Sequence, residues 1–182
     1  MPYWSTVNVG LSKRSVSLTL LMVMGITLSK SVFSDVGPTA GRGCQRIISL
    51  SPAITQVVLD LVGEEQFEKR VVGVSSYSRL PGKSRIPEVA SLNSIQFEKI
   101  ISLRPDCVFE APGVLQSDRI RVLVSTLSRS SPNSRLLSVS MDRLNDIPLA
   151  YQKIGSQLEV PDVDRKWVVP FNERLKSLFG AL

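Results

Sequence analysis

Four short apolar runs, each handing over to a segment with helical apolar spacing, constrain the fold of this chain more than any other feature. Ile47 to Leu50 ends at Ser51-Pro52, and a Ser at the N-cap with Pro at the first helical position is a helix start. Ile54, Val57, Val58, Leu61 and Val62 then follow the i, i+3, i+4, i+7, i+8 spacing of a buried helical face, which Gly63 stops. Val71 to Ser75 reads as a second buried strand. Asn93 is a predicted cap with Gln96 at N3, and Phe97, Ile100 and Ile101 supply that helix's inner face up to Pro105. Cys107 to Ala111 is the third strand, and Ser117-Asp118 opens a helix with Ile120, Leu123, Val124 and Leu127 inward. Arg135 to Val139 is the fourth. Strands separated by helices specify an α/β class with a parallel sheet covered on both faces.

After Ser140 the strands stop. Leu144 to Leu158 and Asp162 to Phe179 are helical in pattern, and Trp167, Phe171, Leu175 and Leu178 form a stripe in the second, which Pro170 should kink. At the other end, Lys13-Arg14 precedes the apolar run Val16 to Leu28. As a helix that run spans about 20 Å, short of a hydrocarbon core of roughly 30 Å. The pattern predicts a secretory signal peptide over 1–34, cleaved after Ser34, with Val32 and Ser34 as the small residues at the cleavage site. A Gly/Pro-rich flexible leader is expected over 35–44.

The chain carries 22 Lys+Arg against 16 Asp+Glu. Three of those bases and none of the acids lie in residues 1–34, so cleavage leaves a net charge of +3. No Lys/Arg stripe with interleaved aromatics remains, and nucleic acid is not an expected partner. There is no His in the 182 residues. That excludes Ser-His-Asp and Cys-His nucleophile systems, HExxH zinc sites and His-ligated metals. Gly41-Arg42-Gly43 precedes the first strand, so it cannot cradle a phosphate at a strand–helix turn. Asp60 and Asp106 read as helix-end acids. The expectation is no enzyme, no catalytic residues, no cofactor and no metal site. Cys44 and Cys107 both survive cleavage, and in an oxidising compartment they could pair or remain two buried thiols.

Ligands of such sheets sit beyond the carboxyl ends of the strands. The turns there nominate Ser51, Pro52, Ala53, Ser76, Tyr77, Pro112 and Gly113, and the helix N-termini beside them offer free N–H groups to anionic ligand parts.

The run RIISLSPAITQVVLDLVG, then VVGVSSYSRLP, then FEKIISLRPDCVFEAPG, resembles the amino-terminal lobe of the helical-backbone periplasmic binding proteins. That family serves ABC importers of cobalamin, haem and ferric siderophores. The resemblance rests on Ser51-Pro52 after the first strand, Val72 to Ser75, Glu98 with Ile100 or Ile101, and Leu103-Arg104-Pro105-Asp106. It implies a Rossmann-like lobe over 45–141, followed by a helical segment over 142–182 that ends in the long, kinked helix bridging two lobes in the family. VGVSSYS followed by Pro is similar to the cobalamin-binding members. The resemblance places Tyr77 on an aromatic that covers the corrinoid, a flat amphipathic disc, and Leu92 where those members have a second ligand-facing aromatic. Glu98 matches the family's permease-docking glutamate.

Family members are about twice the expected mature length, so the second lobe is expected to be absent. The implied function is a periplasmic solute-binding half-protein for cobalamin or a similar chelate, delivering to an ABC importer permease. The alternatives are a truncated, non-functional fragment, or a lobe for haem or ferric siderophores. A face of the 162–179 helix left without a second lobe invites self-association.

Overall fold

The computed structural model describes residues 43–82 and 84–180. The expected signal peptide, and the expected leader up to residue 42, lie outside the described residues. Six strands form one sheet: β1 (Ile47–Ser49), β2 (Val71–Ser75), β3 (Glu88–Ser91), β4 (Ser94–Ile95), β5 (Cys107–Glu110) and β6 (Arg135–Ser138). Their order is β4-β3-β2-β1-β5-β6. Every neighbouring pair is parallel except β3 with β4. The helices are α1 (Pro52–Arg70), α2 (Phe97–Ser102), α3 (Ser117–Ser130), α4 (Asp146–Leu158) and α5 (Val169–Phe179), with a π-helical turn at Asp164–Val168 leading into α5.

The central strands are apolar up to their last residues, Ser49, Ser75 and Glu110, because helices cover both of their faces. Ile47 pairs in register with Cys107 and Ile48 with Val108. The two-residue period of a strand then sends alternate side chains to opposite sides. Ile47, Phe109 and Val74 enter a core with Ile54, Val58 and Phe67 of α1 and Ile154 and Leu158 of α4. Ile48, Val108 and Val89 enter the other, with Ile100, Leu123 and Leu127.

Local chemistry explains where the structure departs from the sequence pattern. The expected all-parallel sheet is mixed, because Glu88 to Ile95 folds as a hairpin, β3–β4, that was not predicted. Asn93 sits in its turn rather than capping a helix, and Gln96 precedes α2 instead. Gly63 does break the helical backbone, with φ 75° and ψ 164°, but the chain re-enters helix as far as Arg70. Val124, expected inward, is 44% exposed, because Leu123 and Leu127 take the inner face and the next residue turns away. Leu144 lies ahead of α4 and is 47% exposed. Pro170 lacks the N–H that would continue the ladder, and the wide turn at Asp164–Val168 takes up the distortion immediately before it. Of the predicted stripe, Trp167 stacks on Tyr151 of α4 with ring centroids 5.4 Å apart, Phe171 and Leu175 are half-buried, and Leu178 is exposed.

Cys44, expected within a flexible leader, is fully buried. A disulfide joins it to Cys107 at the start of β5, with Cα atoms 5.7 Å apart. Its N–H donates to the Gln157 carbonyl (2.8 Å), and its own carbonyl accepts from the Arg70 guanidinium. The Asp106 carboxylate accepts the Gln45 and Arg46 N–H groups at 2.8 and 3.0 Å. Asp106 therefore anchors the incoming chain rather than a helix end. Burial depresses the basicity of Arg70, against the opposing attraction of Asp106 and Glu159.

Candidate binding cleft

β1, β2 and β3 run parallel, so Ser49, Ser75 and Ser91 end the strands at one edge of the sheet. The turns beyond them form a cavity of about 120 Å³ lined by Leu50, Pro52, Ser75, Tyr77, Ser91, Leu92, Val114 and Leu115. None of these residues is charged. Tyr77 and Leu92 stand on its rim, 62% and 55% exposed.

Each wall has a local cause. Pro52 occupies the first position of α1, where its missing N–H costs nothing and its φ suits the helix. Tyr77 lies in a tight turn closed by the Ser78 N–H to the Ser75 carbonyl at 3.0 Å, and the Ser76 N–H ties that turn to the Ala90 carbonyl of β3 at 2.8 Å. Leu92 projects from the β3–β4 turn, whose ends are joined by the Ser91 and Ser94 hydroxyls at 2.8 Å. Val114 follows Gly113, which holds φ 82° in a turn closed by the Val114 N–H to the Ala111 carbonyl. Beneath the cavity, four hydroxyls are linked. Thr55 Oγ1 lies 2.9 Å from Ser49 Oγ and 2.9 Å from Ser78 Oγ, and Ser78 Oγ lies 2.9 Å from Ser75 Oγ.

The cavity thus brings together Pro52, Tyr77 and Leu92 of the residues expected from sequence. Ser51 is buried behind it, and its carbonyl accepts from the Thr55 N–H. Ser76 is half-buried in the Tyr77 turn, while Ala53, Pro112 and Gly113 are exposed and do not line the cavity. Leu50, Ser75, Ser91, Val114 and Leu115 were not anticipated. Ser91 was illegible without β3; Val114 and Leu115 are an apolar pair directly after a Pro-Gly turn, which is a usable signal. Glu98 is exposed in the first turn of α2.

An uncharged, mostly aliphatic wall with one exposed aromatic can hold a flat amphipathic surface, with the Tyr77 hydroxyl and two serines for polar edges. Tyr151 is pushed far above its usual range, chiefly by burial and then by its 2.6 Å hydrogen bond to Asp60. Asp60 is thereby a partner of α4 rather than half of an acid pair. Cys44, Asp106 and Cys107 place ligand-type atoms within 4.8 Å of one another. Their sulfurs are bonded to each other, and the carboxylate is taken by two backbone N–H groups.

Residues 47–128 match the family described as periplasmic binding protein. Over 138 residues the chain is 25% identical to a vitamin B12-binding protein of Pectobacterium atrosepticum, covering 75% of this chain and 46% of that protein. Among solved structures it is similar to the periplasmic vitamin B12 binding protein BtuF of Vibrio cholerae, at 26% identity and a TM-score of 0.62, over 75% of this chain and 50% of that one. A periplasmic heme binding protein from Pseudomonas aeruginosa shares the fold at 22% identity and a TM-score of 0.60, over 74% and 45% of the two chains. The chain spans about half the length of these proteins.

Proposed function

We propose that this chain, whose residues 47–128 match the periplasmic binding protein family, is a periplasmic solute-binding lobe. It holds cobalamin or a similar planar chelate and hands it to an ABC importer permease. The observation that carries the reading is Tyr77 and Leu92 standing exposed over an uncharged cavity at the carboxyl edge of the sheet. The two relatives at 25% and 26% identity, both vitamin B12 binding proteins, support that ligand class. A cavity of about 120 Å³ cannot enclose a corrinoid. The lobe spanning 45–141 therefore covers one face of the ligand, and a second body covers the other: a partner lobe or a second copy, reached through the helical segment 142–182.

In this reading Ser51, Ala53, Ser76, Pro112 and Gly113 form the polar and backbone rim around the Tyr77 wall. Glu98, exposed on α2, registers the lobe on basic permease residues, a rim charge that steers more than it binds. Residues 1–34 are the export signal, and the Cys44–Cys107 disulfide suits an oxidising compartment. The lobe binds a preformed chelate, uses no cofactor and performs no bond-making chemistry. The test is titration of the purified protein with cyanocobalamin, haemin and a ferric siderophore, read by calorimetry. Saturable binding, tightest for cyanocobalamin, is expected. Tighter haemin or siderophore binding would move the ligand within the family, and no saturable binding to any of the three would leave a fragment that is not a receptor.

A further inference from the structure

The four hydroxyls below the cleft have more oxygen neighbours than protons, and counting the protons orders them. The Ser51 carbonyl accepts from the Thr55 N–H at 2.9 Å and from the Ser49 hydroxyl at 3.0 Å, which fills its two lone pairs. The single Thr55 proton lies within reach of both that carbonyl and Ser49 Oγ. With the carbonyl filled, it goes to Ser49 Oγ. Thr55 Oγ1 is then left to accept from Ser78, and Ser78 to accept from Ser75. The protons run one way, from Ser75 through Ser78, Thr55 and Ser49 to the Ser51 carbonyl. Each donor is used once, and each link polarises the next.

Ser49 and Thr55 are fully buried and Ser75 is 4% exposed, so this chain sits where an unpaired hydroxyl is expensive. It joins the end of β1, the first turn of α1 and both feet of the turn that carries Tyr77. Among the described residues no side chain packs over the Tyr77 ring strongly enough to bury it, and it remains 62% exposed. Its position is set from below.

We propose that Thr55 is the positioning residue of the binding cleft, holding the Ser75–Ser78 turn so that Tyr77 is presented as a fixed wall. It touches no ligand and acts through Ser78. The inference deepens the receptor reading and rests on it for the ligand, but the loop itself can be measured without one.

The experiment compares wild type with Thr55→Val, which keeps the shape and removes the hydroxyl, with Thr55→Ser, which restores it, and with Ser78→Ala, which cuts the same link from the half-exposed side should the buried variant fail to fold. Amide hydrogen exchange is read on ligand-free protein, followed by cyanocobalamin titration. In Thr55→Val or Ser78→Ala the backbone amide at position 78 is expected to exchange roughly tenfold faster, with amides of the central strands unchanged and with Thr55→Ser returning to wild type. Cyanocobalamin affinity should fall in the same order. An unchanged amide at position 78 in both cutting variants would overturn the proposal. So would acceleration spread evenly over the central strands with no rescue by serine. If the exchange pattern appears and no protein, wild type included, binds cyanocobalamin, the positioning chain stands and the ligand assignment falls.

Discussion

Reducing the Cys44–Cys107 disulfide isolates one contribution to stability, because it breaks one bond and leaves every side chain in place. The two residues are 63 apart in sequence. Releasing a closed loop of that size returns chain entropy to the unfolded ensemble worth about 4 kcal/mol at 25 °C. A domain of this kind is stable by roughly 5–15 kcal/mol in total, so the reduced form should be marginal. The folded side should change little. Cys44 remains held by its N–H to Gln157 and by Arg70 on its carbonyl, and Asp106 still binds the next two amides. The assay is urea unfolding of the oxidised protein against protein kept reduced by a phosphine. The reduced form should lose about 4 kcal/mol and show a larger m-value, as its unfolded chain expands. A loss below about 1 kcal/mol would refute the loop-entropy reasoning. So would a large loss accompanied by rapid exchange of the Cys44 amide in the reduced native state, which would mean that the bond holds native contacts together.

Tyr151 carries a pH dependence of definite sign. Its ordinary value of 10.0 is raised in the fold, so the native state keeps the phenol proton more tightly and the stabilisation is complete below pH 10.0. As the pH rises beyond that point stability should fall, and Tyr151→Phe should flatten the fall in urea melts. Gly155 of α4 leaves no room for a side chain, since an added Cβ would lie 2.5 Å from Val163 Cγ2. Gly155→Ala should cost about 1–3 kcal/mol by thermal melting, and adding Val163→Ala should recover part of it. On α5, Val169, Leu178 and Phe179 are each about half exposed or more. We propose self-association through this helix: sedimentation should show a mass that rises with concentration, and Leu178→Lys with Phe179→Lys should hold it to a monomer. A wild-type mass independent of concentration would contradict this.

The alternation of apolar runs and helical faces was enough to read β1, β2, β5 and β6 and the helices between them, because buried parallel strands are continuous in hydrophobicity and long helices are periodic. The β3–β4 hairpin escaped because Ser94–Ile95 is too short to show a period and Glu88–Ser91 has two polar ends. Without that hairpin Asn93 reads as a cap of the helix that follows, when its place is the β3–β4 turn. The π-helical turn has no sequence signature of its own beyond Pro170. In the cleft, Pro52 and Tyr77 were legible from the turns after strands, and Leu92 only through the family resemblance. The hydroxyl chain was not legible at all. Ser49, Thr55, Ser75 and Ser78 come from three segments, and the register of β1 against β2, together with the turn from β1 into α1, brings them together.

The central claim is that Tyr77 and its neighbours at the carboxyl edge of the sheet form the ligand wall. The most direct test is cyanocobalamin titration of wild type and Tyr77→Ala, with the amide shifts of the bound protein mapped by residue. The account predicts saturable binding by wild type, shifts concentrated on Leu50, Ser76, Leu92 and Val114, and affinity at least roughly tenfold weaker without the tyrosine ring. Equal affinity in the two proteins, or shifts centred on α5 and α4 instead, would contradict it.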